Sequence, residues 1–159
     1  MRHFLTILLL SLLPVSLMAQ SSPDTVDFRL DAHQWEHRLL FLFVPGEAPD
    51  QLEIQEEAFA DRDTGFRDRD LLLITLIGAT DGTVRDAPGA QAQPLTGAAV
   101  ERLYNRFSVP ADSFRVILVG KDGTEKRRNA EPVTARSIFD TIDAMPMRQR
   151  EMREDSDGE

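Results

Sequence analysis

The chain alternates polar stretches with short, unbroken apolar runs. Residues 38–44 read Arg38-Leu39-Leu40-Phe41-Leu42-Phe43-Val44 and are stopped by Pro45-Gly46. A run of that length between breakers suits a strand buried on both faces. Residues 70–77, Asp70-Leu71-Leu72-Leu73-Ile74-Thr75-Leu76-Ile77, repeat the pattern, and residues 114–119 give a third strand. Gly120-Lys121-Asp122-Gly123 turns the chain, and residues 124–128 return as a fourth strand in a hairpin. Helical spacing fills the gaps. A first helix runs from Pro49 or Gln51 to about Arg62, with Asp50 and Glu53 spaced as a capping box. Leu52 and Phe59 share its inner side with Ile54 and Ala58, while Gln55 and Glu56 face solvent. Thr96 caps a second helix whose apolar positions are Val100, Leu103, Tyr104 and Phe107. Pro132-Val133-Thr134 opens a third, with Ile138, Phe139, Ile142 and Met145 inward and Pro146 ending or kinking it.

Between these elements Asp81-Gly82 marks a turn, and residues 87–94 read as a loop. Val26, Phe28 and Leu30 alternate as a short edge strand. Residues 32–37 form a turn or short helix whose Trp35 packs on the core. Residues 147–159 are charged and expected to fray. The order β-α-β-α-β-β-α predicts an α/β domain of thioredoxin-like class, a four-stranded mixed sheet flanked by helices. The first two β-α steps suit parallel strands, and the final hairpin adds an antiparallel edge.

The start of the chain changes the picture of its compartment. Met1-Arg2-His3 is positive, residues 4–17 are almost wholly apolar, and Ala19 and Ser21 offer small residues for cleavage. This pattern predicts a signal peptide over residues 1–19, too short for a membrane span. A lead-in then covers 20–37, the domain 38–147 and a charged tail 148–159. A periplasmic or secreted protein follows, with no stable membrane span after cleavage. The net charge of -9 repels phosphate backbones, so nucleic acid is not an expected partner. The chain has no cysteine, which removes disulfides, thiolate nucleophiles and thiolate metal sites.

Residues 114–128, FRVILVGKDGTEKRR, precede Glu131-Pro132-Val133 and then IFDTIDAMPMRQRE over 138–151. Together with Trp35-Glu36-His37-Arg38-Leu39-Leu40, Gln51-Leu52, Gln55 and Arg69-Asp70-Leu71, this resembles the P-DUDES family of exported bacterial thioredoxin-like domains of unknown function. That family is in turn similar to modules of vertebrate secreted matrix and sushi-repeat proteins. The resemblance implies a fold and a compartment, not a reaction. Where thioredoxins carry Cys-x-x-Cys, this chain has Pro45-Gly46-Glu47-Ala48-Pro49-Asp50. Where they carry a proline before the third core strand, it has Phe114 and Arg115, with Pro110 too early. Both redox hallmarks are missing.

Candidate chemistry is correspondingly sparse. Lys121, Lys126 and Arg128 make the hairpin basic, and alternation puts Lys126 and Arg128 on one face with Arg127 on the other. With Asp143 and Arg148 they form a candidate site for an anion or carboxylate. The competing reading is a solvated edge hairpin, with Asp143 paired to Arg148 or Arg128 to lock the C-terminal turn. His33, Glu36 and His37 spell H-x-x-E-H, in which two imidazoles one turn apart can share a metal. Against that stand the missing third ligand and the position outside a long helix. No catalytic residue and no cofactor is assigned. The expected function is a binding or interaction domain for an unknown protein or anionic small molecule. The alternatives are a cryptic enzyme or metal protein built on the His33/His37 region or the basic hairpin, and a domain that binds thiol proteins without reacting.

Overall fold

The computed structural model describes residues 24–46 and 49–157. The expected signal peptide and the first residues of the lead-in lie outside the described residues, as do Glu47 and Ala48. A 3-10 helix, Leu30–His33, leads into β1 Arg38–Val44, α1 Pro49–Phe59, α2 Asp63–Arg67 and β2 Leu71–Ile77. Then follow β3 Asp81–Arg85, β4 Gln93–Pro94, α3 Gly97–Phe107, β5 Arg115–Val119, β6 Glu125–Asn129, α4 Ala135–Asp143 and α5 Pro146–Asp157.

The strands form one mixed sheet in the order β4-β3-β2-β1-β5-β6. β1 is central, parallel to β2 from Arg38 opposite Leu71 to Val44 opposite Ile77, and antiparallel to β5. All of β1 is buried, which explains its unbroken apolar run. Successive side chains serve opposite faces. Leu39, Phe41 and Phe43 pack with Val100, Leu103 and Phe107 of α3. Leu40, Leu42 and Val44 pack with Phe59, Phe66, Ile138 and Ile142 on the other side. Each such leucine or phenylalanine contributes about 1.5–3 kcal/mol relative to an exposed side chain.

The sheet has six strands, not four. The turn lies at Gly78-Ala79-Thr80 rather than at Asp81-Gly82, and Gly78 and Ala79 take φ of 58° and 59°. Asp81 can then pair back onto Ile77 and start β3. That strand is only half covered and carries one large apolar residue, Val84, so it leaves no apolar run. β4 sits in the segment expected to be loop, beside the bridge from Val26 to Leu95.

Strand direction differs too. The link from Ser108 to Phe114 returns the chain to the end of the sheet where β1 finishes, so Arg115 pairs with Phe43 and β5 is antiparallel to β1. The first helix also differs. α1 starts at Pro49, which puts Asp50 inside its first turn instead of at a cap. Ile54 is exposed and Gln55 fully buried. The Gln55 amide donates to the Val133 carbonyl at 2.8 Å and accepts from the Val133 N–H at 2.8 Å. A polar side chain thereby satisfies backbone groups as a neighbouring strand would.

Thr96 caps α3 as its sequence predicts and Thr134 caps α4, each accepting from the backbone N–H three residues on. The chain does not fray after Pro146. It continues as α5, whose Arg148 is buried. Among the described residues no helix is long and apolar enough to cross a membrane.

Candidate functional site

Arg38 heads the central strand, yet its side chain is only 1% exposed. Burying a guanidinium demands partners, and the fold supplies them from distant segments. Arg38 Nη1 donates to the Arg69 carbonyl at 2.9 Å. Arg38 Nη2 donates to both carboxylate oxygens of Glu151 in α5, at 3.1 and 3.0 Å. Lys121, just past β5, holds Asp70 at 2.7 Å and the same Glu151 at 2.9 Å. Burial works against ionisation of the Glu151 carboxyl, but the bonds from Lys121 and Arg38 outweigh it and hold the group below the usual glutamate range.

Arg148 extends the cluster. Its Nη2 lies 2.6 Å from Asp68, its Nε 3.6 Å from Asp143 and its Nη1 3.7 Å from Glu151. Arg69 clasps Asp143 through two bonds, and its guanidinium lies 4.5 Å from the centroid of the Phe139 ring. Four cations thus meet four carboxylates at the N-terminal ends of β1 and β2. The arrangement is charge-balanced, so Asp143 and Arg148 are committed to each other and to the fold, not left free for a ligand.

Beside this cluster runs a groove of about 610 Å³ between the β5–β6 turn and the α4–α5 corner. Lys121, Lys126 and Arg150 bring charge to it, and Trp35, Met145 and Met147 bring apolar surface. Arg38 contributes to the same wall. Trp35 does not pack on the core. It is 61% exposed at the groove. Its backbone takes φ of 72°, a left-handed conformation that costs a bulky side chain about 1–3 kcal/mol. The conformation is held because the Trp35 N–H donates to the Lys121 carbonyl at 2.7 Å and the Gln34 side chain donates to the Asp122 carbonyl at 3.2 Å. The lead-in is therefore clipped to the hairpin turn.

The hairpin's basic residues are sorted by one backbone irregularity. Leu118 pairs with Arg127 but Val119 pairs with Glu125, so Lys126 is the extra residue of a β-bulge. Alternation is broken there, and Lys126 and Arg128 do not share a face. Arg128 turns to the α3 side, where it bonds Glu125 at 2.7 Å and the Phe107 carbonyl at 3.2 Å. Arg127 and Lys126 face α4. Arg127 bonds the Ser137 carbonyl at 2.7 Å and Thr141 at 3.1 Å. Lys126 lines the groove and pairs with Asp122 at 2.6 Å. Of the five expected site residues the groove therefore collects Lys121 and Lys126. Asp143 and Arg148 lie in the ion cluster, and Arg128 lies on the opposite face.

His33 and His37 do come together, Nδ1 to Nδ1 at 3.5 Å. His33 also stacks on the buried Phe28 at 4.6 Å between centroids. Burial, and then the neighbouring His37, push its imidazole below the usual range. Glu36 is exposed beside them, and among the described residues no three His, Asp or Glu side chains gather as a metal-binding group. His33 instead packs within the lead-in, between the buried Phe28 and His37.

The groove residues that sequence reasoning missed are Trp35 as an exposed group, Arg38, and Arg150. One signal was present. A lone arginine at the head of an otherwise apolar, buried strand implies a carboxylate elsewhere in the chain.

Residues 29–151 match a family described as a domain of unknown function, DUF4174. The chain is also 26% identical over 117 residues to Sushi repeat-containing protein SRPX2 of Xenopus laevis, covering 74% of this chain and 25% of that protein. It is 27% identical over 151 residues to Coiled-coil domain-containing protein 80 of Danio rerio, covering 87% and 17%. With Sushi repeat-containing protein SRPX of Homo sapiens it shares 29% over 123 residues, covering 77% and 26%. The chain thus spans only 17% to 26% of the length of these relatives. No solved structure matches.

Proposed function

The chain belongs to the DUF4174 family, and on that premise we propose that it is a thioredoxin-like binding domain of the exported P-DUDES kind that holds a partner without transforming it. The thioredoxin-like reading is supported by the strand order β2-β1-β5-β6, with β1 and β2 parallel and the other neighbours antiparallel. It places residues 38–147 as the domain's core, with the lead-in and α5 packed against it. Export to the periplasm or beyond is supported by the apolar N-terminal stretch over residues 1–19. The absence of cysteine leaves this chain no thiol chemistry.

The carrying observation is Trp35, held exposed in a strained conformation over a groove that also carries Lys121 and Lys126. Backbone strain of this kind persists where surrounding structure imposes it and clusters at ligand clamps. A photo-crosslinking residue placed at Pro146 or at Ala144, both exposed at the groove, in the full chain expressed in a bacterium that exports it, tests the reading. A discrete crosslinked partner is expected from both positions and not from Glu101, which is exposed on α3. Equal capture from all three, or none from the groove positions, sinks it.

A further inference from the structure

Building on the groove as the binding site, we infer that its occupant is a short protein segment in which an apolar side chain stands beside an acidic one. The apolar group packs on Trp35, Met145 and Met147, and the carboxylate meets Lys126 and Arg150.

Charge decides the acidic half. The whole chain carries -9, yet the groove gathers Arg38, Lys121, Lys126 and Arg150 against Asp122. Arg38 and Lys121 are already satisfied by Glu151 and Asp70. Lys126 has only Asp122 as an ion-pair partner, and exposed Arg150 has none among the described residues. Arg150 is open to an incoming carboxylate, and Lys126 reaches it by exchanging Asp122 for the new partner. Asp122 can still accept from the Thr124 backbone and hydroxyl, at 3.1 and 2.9 Å, when Lys126 swings away.

The apolar half follows from Trp35, Met145 and Met147. Tryptophan, methionine and arginine are the side chains enriched where proteins grip other proteins, and methionine adapts its shape to the group it meets. A small inorganic anion would leave this surface unused. An extended polyanion or an anionic membrane would lay negative charge against the acidic remainder of the surface and be repelled. A short segment confined to the groove avoids that repulsion, and the volume of about 610 Å³ suits a few side chains.

Trp35 is the single tryptophan of the chain, so its emission reports on the groove directly. The full chain is titrated with an end-blocked synthetic peptide of alternating leucine and glutamate, then with the same peptide carrying glutamine for glutamate. Inorganic phosphate and phosphatidylglycerol vesicles are run alongside. The glutamate peptide is expected to shift Trp35 emission to the blue saturably. Glutamine replacement, Lys126→Gln and Arg150→Gln are each expected to weaken binding about tenfold, and added salt to weaken it further. Unchanged urea midpoints of the variants show that they fold. Equal binding of both peptides overturns the acidic specificity while leaving the groove as a binding site. A shift with vesicles or phosphate as strong as with the peptide overturns the choice of a protein segment. No shift with either peptide overturns the inference outright, whereas loss of the groove reading itself is registered separately by the crosslinking from Pro146 and Ala144.

Discussion

Arg69 and Asp143 are joined by two parallel bonds, Nε to Oδ1 at 2.9 Å and Nη2 to Oδ2 at 2.6 Å. The pair ties the turn before β2 to the last residue of α4, and Arg148 shares the same carboxylate from α5. Removing the carboxylate takes one partner from each of two largely buried guanidinium groups, leaving Arg69 with Gly65 and Asp68 and Arg148 with Asp68. Asp143→Ala is expected to destabilise the fold by about 2–3 kcal/mol, as for loss of charge-assisted bonds in a half-buried site. Asp143→Asn, which retains an acceptor, costs less. Urea denaturation of both variants reads the difference.

Glu151 makes stability depend on acid. Its carboxyl is held below the ordinary value of 4.5 in the folded chain, so the unfolded chain takes up the proton first as pH falls. The stabilisation is complete above about pH 4.5 and is lost as pH drops through the lower folded value. Asp122 and Glu125 are lowered as well, so the wild-type decline contains several groups. Glu151→Gln is expected to remove one part of it. The gap between the two proteins in urea midpoint should be largest near neutrality and narrow toward pH 3. A constant gap would contradict the assignment.

Gln55 stands in for backbone. Gln55→Ala leaves the N–H and carbonyl of Val133 buried without partners and opens a void, for an expected loss of about 3 kcal/mol. Gln55→Leu refills the volume but not the bonds and should recover little. Hydrogen exchange at the Val133 amide is the direct measure: protection there should fall far more than at Leu118 in β5.

Trp35→Gly separates stability from binding. Glycine takes a φ of 72° without strain, so the variant is expected to be as stable as the parent or up to about 1 kcal/mol more stable. Its crosslinking from Ala144 should fall sharply. A variant that lost stability and kept its partner would show that the indole is structural.

What the sequence revealed depended on how each element is buried. β1, β2 and β5 were legible because burial on both faces leaves an unbroken apolar run. α3 was legible from its cap and spacing, and α4 from its apolar spacing after Pro132-Val133-Thr134. β3 was not, since its half-covered face and the turn at Gly78-Ala79-Thr80 leave only Val84 as a signal. α5 was not, because Arg148 and Glu151 are held in the fold by charge pairing, and a reading of apolar periodicity counts charges as solvent. The candidate site divided on the same lines. Lys121 and Lys126 sit at the groove, but the bulge that moved Arg128 to the other side is an event of the backbone that side-chain alternation cannot register.

The bond from Arg38 to Glu151 spans 113 positions of the chain. While the chain is being made, β1 appears early and its counter-charge comes late. Until Glu151 arrives, the Arg38 guanidinium at the head of β1 lacks the carboxylate that balances its burial in the finished fold. The last helix is thus a closing stitch on the oldest strand, and a chain cut before Glu151 is expected to resist proteases less well than the whole one.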